Sequence, residues 1–187
     1  FTGGPGNFRR TANRHDYAIA PPAPTLLDWV QAEGHATHAI GKIGDIFSMR
    51  GIGDLRKGKS DADLFEHLMA LTGEASAGSF TFANFVEFDS LFGHRRDVSG
   101  YARALEWFDT CAGRFLAALA PGDLAILSAD HGNDPTWRGT DHTRERVPVI
   151  GWGLGTKAVG QVGYVDVAAS IAVHLGVRAE GRGRSFL

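Results

Sequence analysis

The chain has 187 residues, of which 43% are hydrophobic, and its formal net charge is only -2. Its length is typical of about one domain. Because positive and negative charges nearly balance, electrostatics gives no reason to expect nucleic acid or an anionic membrane as the main partner. The single cysteine, Cys111, excludes an internal disulfide, and no apolar run approaches the roughly 20 residues of a membrane span. The start, at Phe1, is neither a signal peptide nor an initiator methionine. We expect a soluble cytoplasmic protein that binds neither nucleic acid nor membranes and is part of a longer chain.

The first 24 residues are rich in Gly, Pro, Asn and Arg, which predicts a loop. Arginines in this loop, including Arg14, either hold a phosphate or form a solvated basic surface, and the composition favours the surface. Thr25 is a predicted helix N-cap, and a short buried strand is predicted at 37–40. The turn that follows contains Lys42 between glycines, so a phosphate pocket and a plain tight turn are equally compatible with it.

Helices and strands alternate along the rest of the chain. The predicted elements are a loop at 47–59, a helix from Ser60 or Asp61 to Gly73, a strand at 79–88, a helix at 99–120 with an apolar stripe that includes Tyr101, Leu105, Phe108 and Phe115, strands at 124–128 and 147–152, and a helix at 166–176. Cys111 lies in the 99–120 helix and is predicted to be a buried, unreactive thiol. This alternation predicts an α/β fold with a doubly wound, mainly parallel sheet flanked by helices.

Acidic and histidine side chains gather where the predicted strands end. Asp130 and His131 follow strand 124–128, Asp89 ends strand 79–88 with His94 five residues later, and His142 comes eleven residues after His131. Ligands of open α/β sheets bind at this edge. Carboxylate and imidazole without thiolate suit Zn, Mn, Fe or Co. A pair of ions about 4 Å apart needs more than these five ligands, so at least one carboxylate is missing for a pair. Helix caps and surface histidines are the alternative explanation, and the clustering favours metal.

Several runs resemble the phosphopentomutase family of the alkaline-phosphatase superfamily. They are Gly4-Pro5-Gly6-Asn7-Phe8, Asn13-Arg14-His15-Asp16-Tyr17-Ala18, Gly41-Lys42-Ile43-Gly44-Asp45-Ile46, Phe88-Asp89-Ser90-Leu91-Phe92-Gly93-His94-Arg95-Arg96-Asp97, Ala129-Asp130-His131-Gly132-Asn133-Asp134-Pro135 and Gly139-Thr140-Asp141-His142-Thr143-Arg144-Glu145. The resemblance covers essentially the whole chain in order. Asp-His-Gly is shared across the superfamily, whereas the Phe-Gly-His-Arg-Arg-Asp and Gly-Thr-Asp-His-Thr-Arg-Glu runs are specific to the mutase.

The resemblance implies an isomerase that interconverts ribose or deoxyribose 1-phosphate and 5-phosphate in nucleoside catabolism. It implies two Mn²⁺ ions, a phosphorylated threonine, and a sugar 1,6- or 1,5-bisphosphate as activator. By the same resemblance, Asp89, His94 and His142 bind one ion, and Asp130 and His131 bind the other. Arg14 and Lys42 match contacts to the sugar phosphate, which is the expected small-molecule partner.

The resemblance also implies that the family's N-terminal half has no counterpart here. Residues 1–20 match the end of a cap domain and its hinge, and residues 21–187 match the C-terminal half of the metal-binding catalytic core, so the alkaline-phosphatase-like core is incomplete. The nucleophilic threonine is absent, and we expect no catalytic nucleophile in this chain and an N-terminal half as its partner. The alternatives are another two-metal phosphomutase or phosphatase of the superfamily, or a non-catalytic metal-binding domain.

Overall fold

The computed structural model describes residues 2–8, 17–153 and 155–187, so Arg14 lies outside the described part. Its elements are, in order, α1 (Leu26–Ala32), β1 (Thr37–Ile40), α2 (Ile43–Ile46), β2 (Asp54–Arg56), α3 (Asp61–Glu74), β3 (Phe80–Ala83), a π-helix (Phe88–Gly93), α4 (Val98–Ala118), β4 (Ala125–Ser128), β5 (Val149–Trp152) and α5 (Tyr164–Leu175). The α/β class predicted from the sequence is confirmed. No helix of the described residues is long and apolar enough to span a membrane.

A three-stranded parallel sheet forms the centre, in the order β2-β1-β3. All four residues of β1 are buried, because both its edges pair with strands and helices cover its faces. The strand β2 lies inside the segment predicted as loop. Its three residues have no apolar run, and pairing with β1 makes them a strand while Arg56 bonds to Asp54 and Glu74.

The strand β3 is shorter than predicted, so Asp89 does not lie at its end. The sequence predicts a strand to residue 88, but β3 ends at Ala83. The amides of Val86 and Glu87 donate to the Asp61 carboxylate, at 3.0 and 3.1 Å, instead of to a neighbouring strand. Asp89 therefore lies in a π-helix after a short connection, and the prediction that a strand ends at Asp89 is wrong.

The second sheet has two antiparallel strands, β4 and β5, with Ser128 opposite Val149. In the described residues β4 pairs only with β5 and β3 only with β1, so the mainly parallel sheet predicted from the sequence is present as two separate pieces. The parallel part and its flanking helices follow the predicted alternation.

Three clusters of buried side chains pack around the parallel sheet, and they are centred on Leu27, Val30 and Ile40. The helix α4 and the strand β5 are less well covered. Leu105 on α4 is 51% exposed, contrary to the prediction that its whole apolar stripe is core, while Phe108 is half-buried. Trp152 on β5 is 54% exposed. Large apolar side chains at such levels of exposure are the sort of surface that a partner segment normally covers.

Candidate metal centre

The π-helix presents Asp89 and His94 on one short segment. The amide of His94 donates to the carbonyl of Asp89 at 3.0 Å, so one wide turn lies between the two side chains. Their side chains then meet, with His94 Nε2 at 3.3 Å from Asp89 Oδ2. Single π turns of this kind are frequent at functional sites.

Asp61, at the start of α3, holds the connection that leads into this π-helix. Its side chain is 2% exposed and accepts the amides of Val86 and Glu87. Burial raises the pKa of the Asp61 carboxyl from 3.8 to about 6, although the two hydrogen bonds act in the opposite direction. The position of Asp89 thus depends on a buried acid more than 20 residues away in the chain.

Replacing Asp61 with asparagine is expected to remove a pH dependence of stability. The carboxyl binds protons more tightly in the folded protein than in the unfolded chain, so the free energy of unfolding falls as the pH rises from about 4 to about 6. The Asp61 share of this fall is at most about 3 kcal/mol, because one pKa unit corresponds to about 1.4 kcal/mol. Urea unfolding across this pH range measures it. The exposed Asp109→Asn should keep the wild-type slope, and an Asp61→Asn variant with an unchanged slope would contradict this account.

Asp130 and His131 follow β4 directly, as the sequence predicts. The hydroxyl of Tyr164, at the start of α5, donates to the Asp130 carbonyl at 2.7 Å and ties this strand end to the helix. His131 Nε2 lies 3.6 Å from Asp130 Oδ2. The Asp130 side chain is largely exposed, whereas His131 is half-buried beneath the following loop.

The loop after His131 folds back and brings His142 to the same place. The amide of Thr143 donates to the carbonyl of Gly132 at 3.0 Å, and the Thr143 hydroxyl accepts the amide of Asp134 at 2.7 Å. This closure stacks the His131 and His142 rings, whose centroids are 3.7 Å apart. A residue eleven positions away in sequence is thereby placed beside the strand end.

The five predicted ligands form one connected cluster. His142 Nε2 lies 3.1 Å from Asp89 Oδ1, and the His94 and His142 ring centroids are 4.8 Å apart. One ligand atom from each of Asp89, His131 and His142 lies within 4.8 Å of the other two. His94 joins this group through Asp89, and Asp130 joins it through His131. The structure thus brings Asp89, His94, His131 and His142 together, and Asp130 lies at the edge of the group, in contact with its sequence neighbour His131.

The orientation of the imidazoles fits a cation at this position. His94 Nδ1 donates to the carbonyl of Thr140 at 2.5 Å, and His131 Nδ1 donates to that of Gly132 at 3.2 Å. A carbonyl only accepts, so in the neutral rings Nε2 carries the lone pair, and the Nε2 atom of His94 faces the carboxylate of Asp89. Either a proton on Nε2 or a cation bound by both atoms satisfies this pair, and a second hydrogen bond on Nδ1 is typical of metal-binding histidine.

Negative charge gathers around the same cluster. Burial raises the pKa of the Tyr101 phenol, and the carboxylates of Asp89, Asp134 and Glu145 raise it further. Cys111 is no competitor for a metal, because its thiol is buried within α4 and burial raises its pKa. The site therefore offers oxygen and imidazole donors in a negative field, which suits a divalent cation.

The sequence also predicts two phosphate contacts, Lys42 and Arg14. Lys42 follows the carboxyl end of β1 in the turn before α2. Gly41 in the same turn has φ +78°, and a side chain there would overlap the carbonyl of Asn84, so backbone geometry alone requires a glycine. Arg14 lies outside the described residues. The roles of both residues toward a phosphate stay predictions.

Two residues that the sequence did not single out, Arg96 and Asn133, connect the cluster to the loops around it. Both occur inside the quoted runs, but the Arg96–Asn133 and Asn133–Asp89 hydrogen bonds each join residues more than 35 positions apart along the chain. Only the fold shows these contacts, since no local pattern in the sequence indicates them.

An α/β fold that groups imidazole and carboxylate side chains in this way is typical of metal-dependent enzymes. Residues 5–179 match the profile of the metalloenzyme superfamily, and the chain belongs to that family. Membership implies a divalent metal ion. Among curated proteins, the chain is similar to the phosphopentomutase of Chelativorans sp., with 54% identity over 184 residues, which is 96% of this chain and 45% of that protein.

Two further relatives give the same result. Identity to the phosphopentomutase of Allorhizobium ampelinum is 52% over 97% of this chain and 45% of that protein. Identity to the phosphopentomutase of Agrobacterium fabrum is 51% over 96% of this chain and 45% of that protein. The resemblance inferred from the sequence is confirmed, and the chain spans a little under half the length of the curated relatives it matches.

Proposed function

We propose that this chain is the metal-binding part of a phosphopentomutase that interconverts ribose or deoxyribose 1-phosphate and 5-phosphate. The observation that carries the proposal is the convergence of Asp89, His94, Asp130, His131 and His142 in a chain that is more than 50% identical to phosphopentomutases. The active protein would include the segments that its relatives have and this chain does not match.

The five side chains of the cluster would bind two metal ions. Asp89, His94 and His142 hold one Mn²⁺, and Asp130 and His131 supply two ligands to a second, with further ligands from outside this chain. When bound, the pair of ions supplies the positive charge that clamps a phosphoryl group and stabilises its attacking and leaving oxygens. The hydrogen bonds on His94 Nδ1 and His131 Nδ1 keep the Nε2 atoms directed toward the ions.

The substrate would be held mainly by cationic groups away from the ions. Lys42 and Arg14 bind the phosphate of the pentose, so that the sugar is oriented and either of its two phosphorylated positions can reach the centre in turn. A phosphothreonine outside this chain would pass its phosphoryl group to the free hydroxyl of the sugar monophosphate, which gives a sugar bisphosphate. After this bisphosphate turns round, its other phosphoryl group would return to the threonine, so that the isomeric monophosphate is released and the phosphothreonine is restored. A sugar 1,6- or 1,5-bisphosphate would prime that threonine at the start.

A chimera tests the proposal in a complete enzyme. This chain replaces the matching 45% of the Chelativorans phosphopentomutase, and ³¹P NMR follows ribose 1-phosphate. We expect conversion to ribose 5-phosphate that requires Mn²⁺ and stops with a chelator. Lys42→Ala should lower kcat/KM by about 10-fold or more, because a charge-assisted contact to phosphate is lost, whereas the exposed Lys59→Ala should not.

The other outcomes identify the alternatives. Release of inorganic phosphate without isomerisation would indicate a two-metal phosphatase of the superfamily. A folded chimera that binds Mn²⁺ but converts no substrate, beside an active parent enzyme, would indicate a non-catalytic metal-binding domain. Either result would overturn the proposed mutase function.

A further inference from the structure

Arg96 connects the three segments that carry the cluster. It follows the π-helix at φ 55°, a left-handed conformation that is uncommon for a residue with a side chain. Its guanidinium donates to five oxygens: Gly93 O at 2.9 Å, Asn133 Oδ1 at 2.7 Å, Asp134 O at 3.0 Å, Gly139 O at 2.6 Å and Asp141 O at 2.6 Å. The rigid fork of arginine suits such multiple contacts. One side chain thus fixes the π-helix, the strand-end loop and the loop of His142 relative to one another.

Asn133 continues this connection to Asp89. It is only 7% exposed, and its Nδ2 donates to Asp89 Oδ1 at 2.7 Å while its Oδ1 accepts from Arg96. Because the guanidinium only donates, the amide oxygen must face Arg96 and the amide nitrogen must face Asp89. The orientation of the amide is therefore determined, and with it one hydrogen bond to the carboxylate.

The packing around Asn133 leaves it no alternative position. A side chain on Gly93 would overlap the Asn133 amide, and Gly93 is itself buried. Asn133 is thus confined between the π-helix and Arg96, with its donor directed at the carboxylate. Asp89 is held in place on one side by a neutral donor, and its other contacts are the histidines of the cluster.

The same guanidinium also limits the movement of His142. It holds the carbonyls of Gly139 and Asp141, which lie on both sides of Thr140, and the Thr140 carbonyl accepts from His94. The loop that carries His142 is therefore attached to the π-helix by side chains at three successive peptide carbonyls. His142 itself is exposed, so burial contributes little to its position.

We propose that Arg96 and Asn133 are the positioning residues of the metal centre, which orient the Asp89 carboxylate and the His142 loop before a cation arrives. They act through Asp89 and the loop of His142. The inference rests on the proposed metal centre, and it adds the residues that set the geometry of that centre. Partners of metal ligands typically change metal affinity by about 10- to 100-fold when they are replaced.

The first measurement is Mn²⁺ affinity by titration calorimetry in the chimera. Arg96→Gln and Asn133→Leu are each expected to weaken binding by about 10- to 100-fold. The double variant should be only slightly weaker than either single one, because both act along one chain of hydrogen bonds. Arg96→Lys keeps the charge but not the fork, so it should recover only part of the affinity. The matched control is Arg95→Gln, an exposed neighbour on the same segment, with wild-type affinity expected.

The second measurement needs no metal. Hydrogen exchange of the Thr143 amide, which bonds to the carbonyl of Gly132, reports how firmly the His142 loop is closed. In metal-free protein, Arg96→Gln should speed this exchange by about 10-fold or more, whereas Arg95→Gln should leave it unchanged. Circular dichroism confirms that each variant is folded, and Gly93→Ala, which displaces Asn133, gives a second route to the same loss.

The two measurements separate the possible failures. Wild-type Mn²⁺ affinity in folded Arg96→Gln and Asn133→Leu would overturn the positioning roles while leaving the metal centre intact. If the wild-type chimera binds no divalent ion, the metal centre fails. In that case, faster exchange in Arg96→Gln would still support the role of Arg96 in holding the His142 loop to the π-helix. Unchanged exchange would overturn that role as well.

Discussion

Replacing Asp89 with asparagine is expected to weaken Mn²⁺ binding at the candidate centre by about 100-fold or more and to lower turnover of the chimera at least as far. Asp89 is the one carboxylate of the cluster that meets two histidines, His94 at 3.3 Å and His142 at 3.1 Å. Asparagine has nearly the same shape, so the change removes mainly the negative charge and one oxygen ligand. Divalent ions that prefer oxygen ligands bind much more weakly when an anionic oxygen ligand is removed.

The variant also stabilises the metal-free state. The Asn133 amide donates to Asp89 Oδ1, and an asparagine at 89 must direct its oxygen there, which leaves its own NH₂ facing His94 Nε2. That arrangement satisfies the histidine lone pair without a cation, so the metal-free state gains stability relative to the bound state. Calorimetry with Mn²⁺ and ³¹P NMR turnover measure the two effects. Asp109→Asn, an exposed acid on α4, serves as the control, and wild-type affinity in Asp89→Asn would rule out this carboxylate as a ligand.

Local signals in the sequence were sufficient for much of the fold. The helix α3 begins after its predicted cap, where Ser60 accepts the amide of Asp63, and α4 begins after Asp97, which accepts the amide of Gly100. β1 is buried throughout because its four residues lack charge and its neighbours pair with it. The two helix starts are specified by residues within a few positions of one another.

The errors occur where distant residues decide the structure. β2 is a strand only because β1 lies beside it, and β3 stops early because Asp61 takes the amides that would extend it. Leu105 is exposed although its periodicity is that of a core residue. For the two strands the deciding partner is far along the chain, and periodicity carries no information about it.

The candidate site shows the same division. The sequence identified the five side chains because Asp and His near predicted strand ends form a recognisable chemical set, and the structure groups four of them, with Asp130 at the edge beside His131. It did not identify Arg96 and Asn133, whose contacts span more than 35 positions. Residue types that bind metals can be recognised in the sequence, whereas the hydrogen bonds that orient them join distant residues and are seen only in the folded structure.

The 187-residue chain on its own is expected to show no detectable interconversion of ribose 1-phosphate and ribose 5-phosphate. It matches only 45% of the length of relatives such as the Allorhizobium phosphopentomutase, and the resemblance places the threonine nucleophile in the unmatched part. Asp130 and His131 alone are two ligands, too few for a tight second site, so calorimetry should find one Mn²⁺ bound per chain and a second bound weakly at most.

Stability should limit the isolated chain as well. Trp152 and Leu105 are more than half exposed, and in the part of the chain that the structure describes β4 pairs with β5 alone, so the folded state leaves apolar surface uncovered. Adding the unmatched segments of the relative in the chimera should therefore raise the urea midpoint and produce turnover together, because we expect those segments both to cover apolar surface and to bring in the remaining ligands. Mutase turnover by the purified 187-residue chain would show instead that its own residues provide both the nucleophile and a complete pair of metal sites.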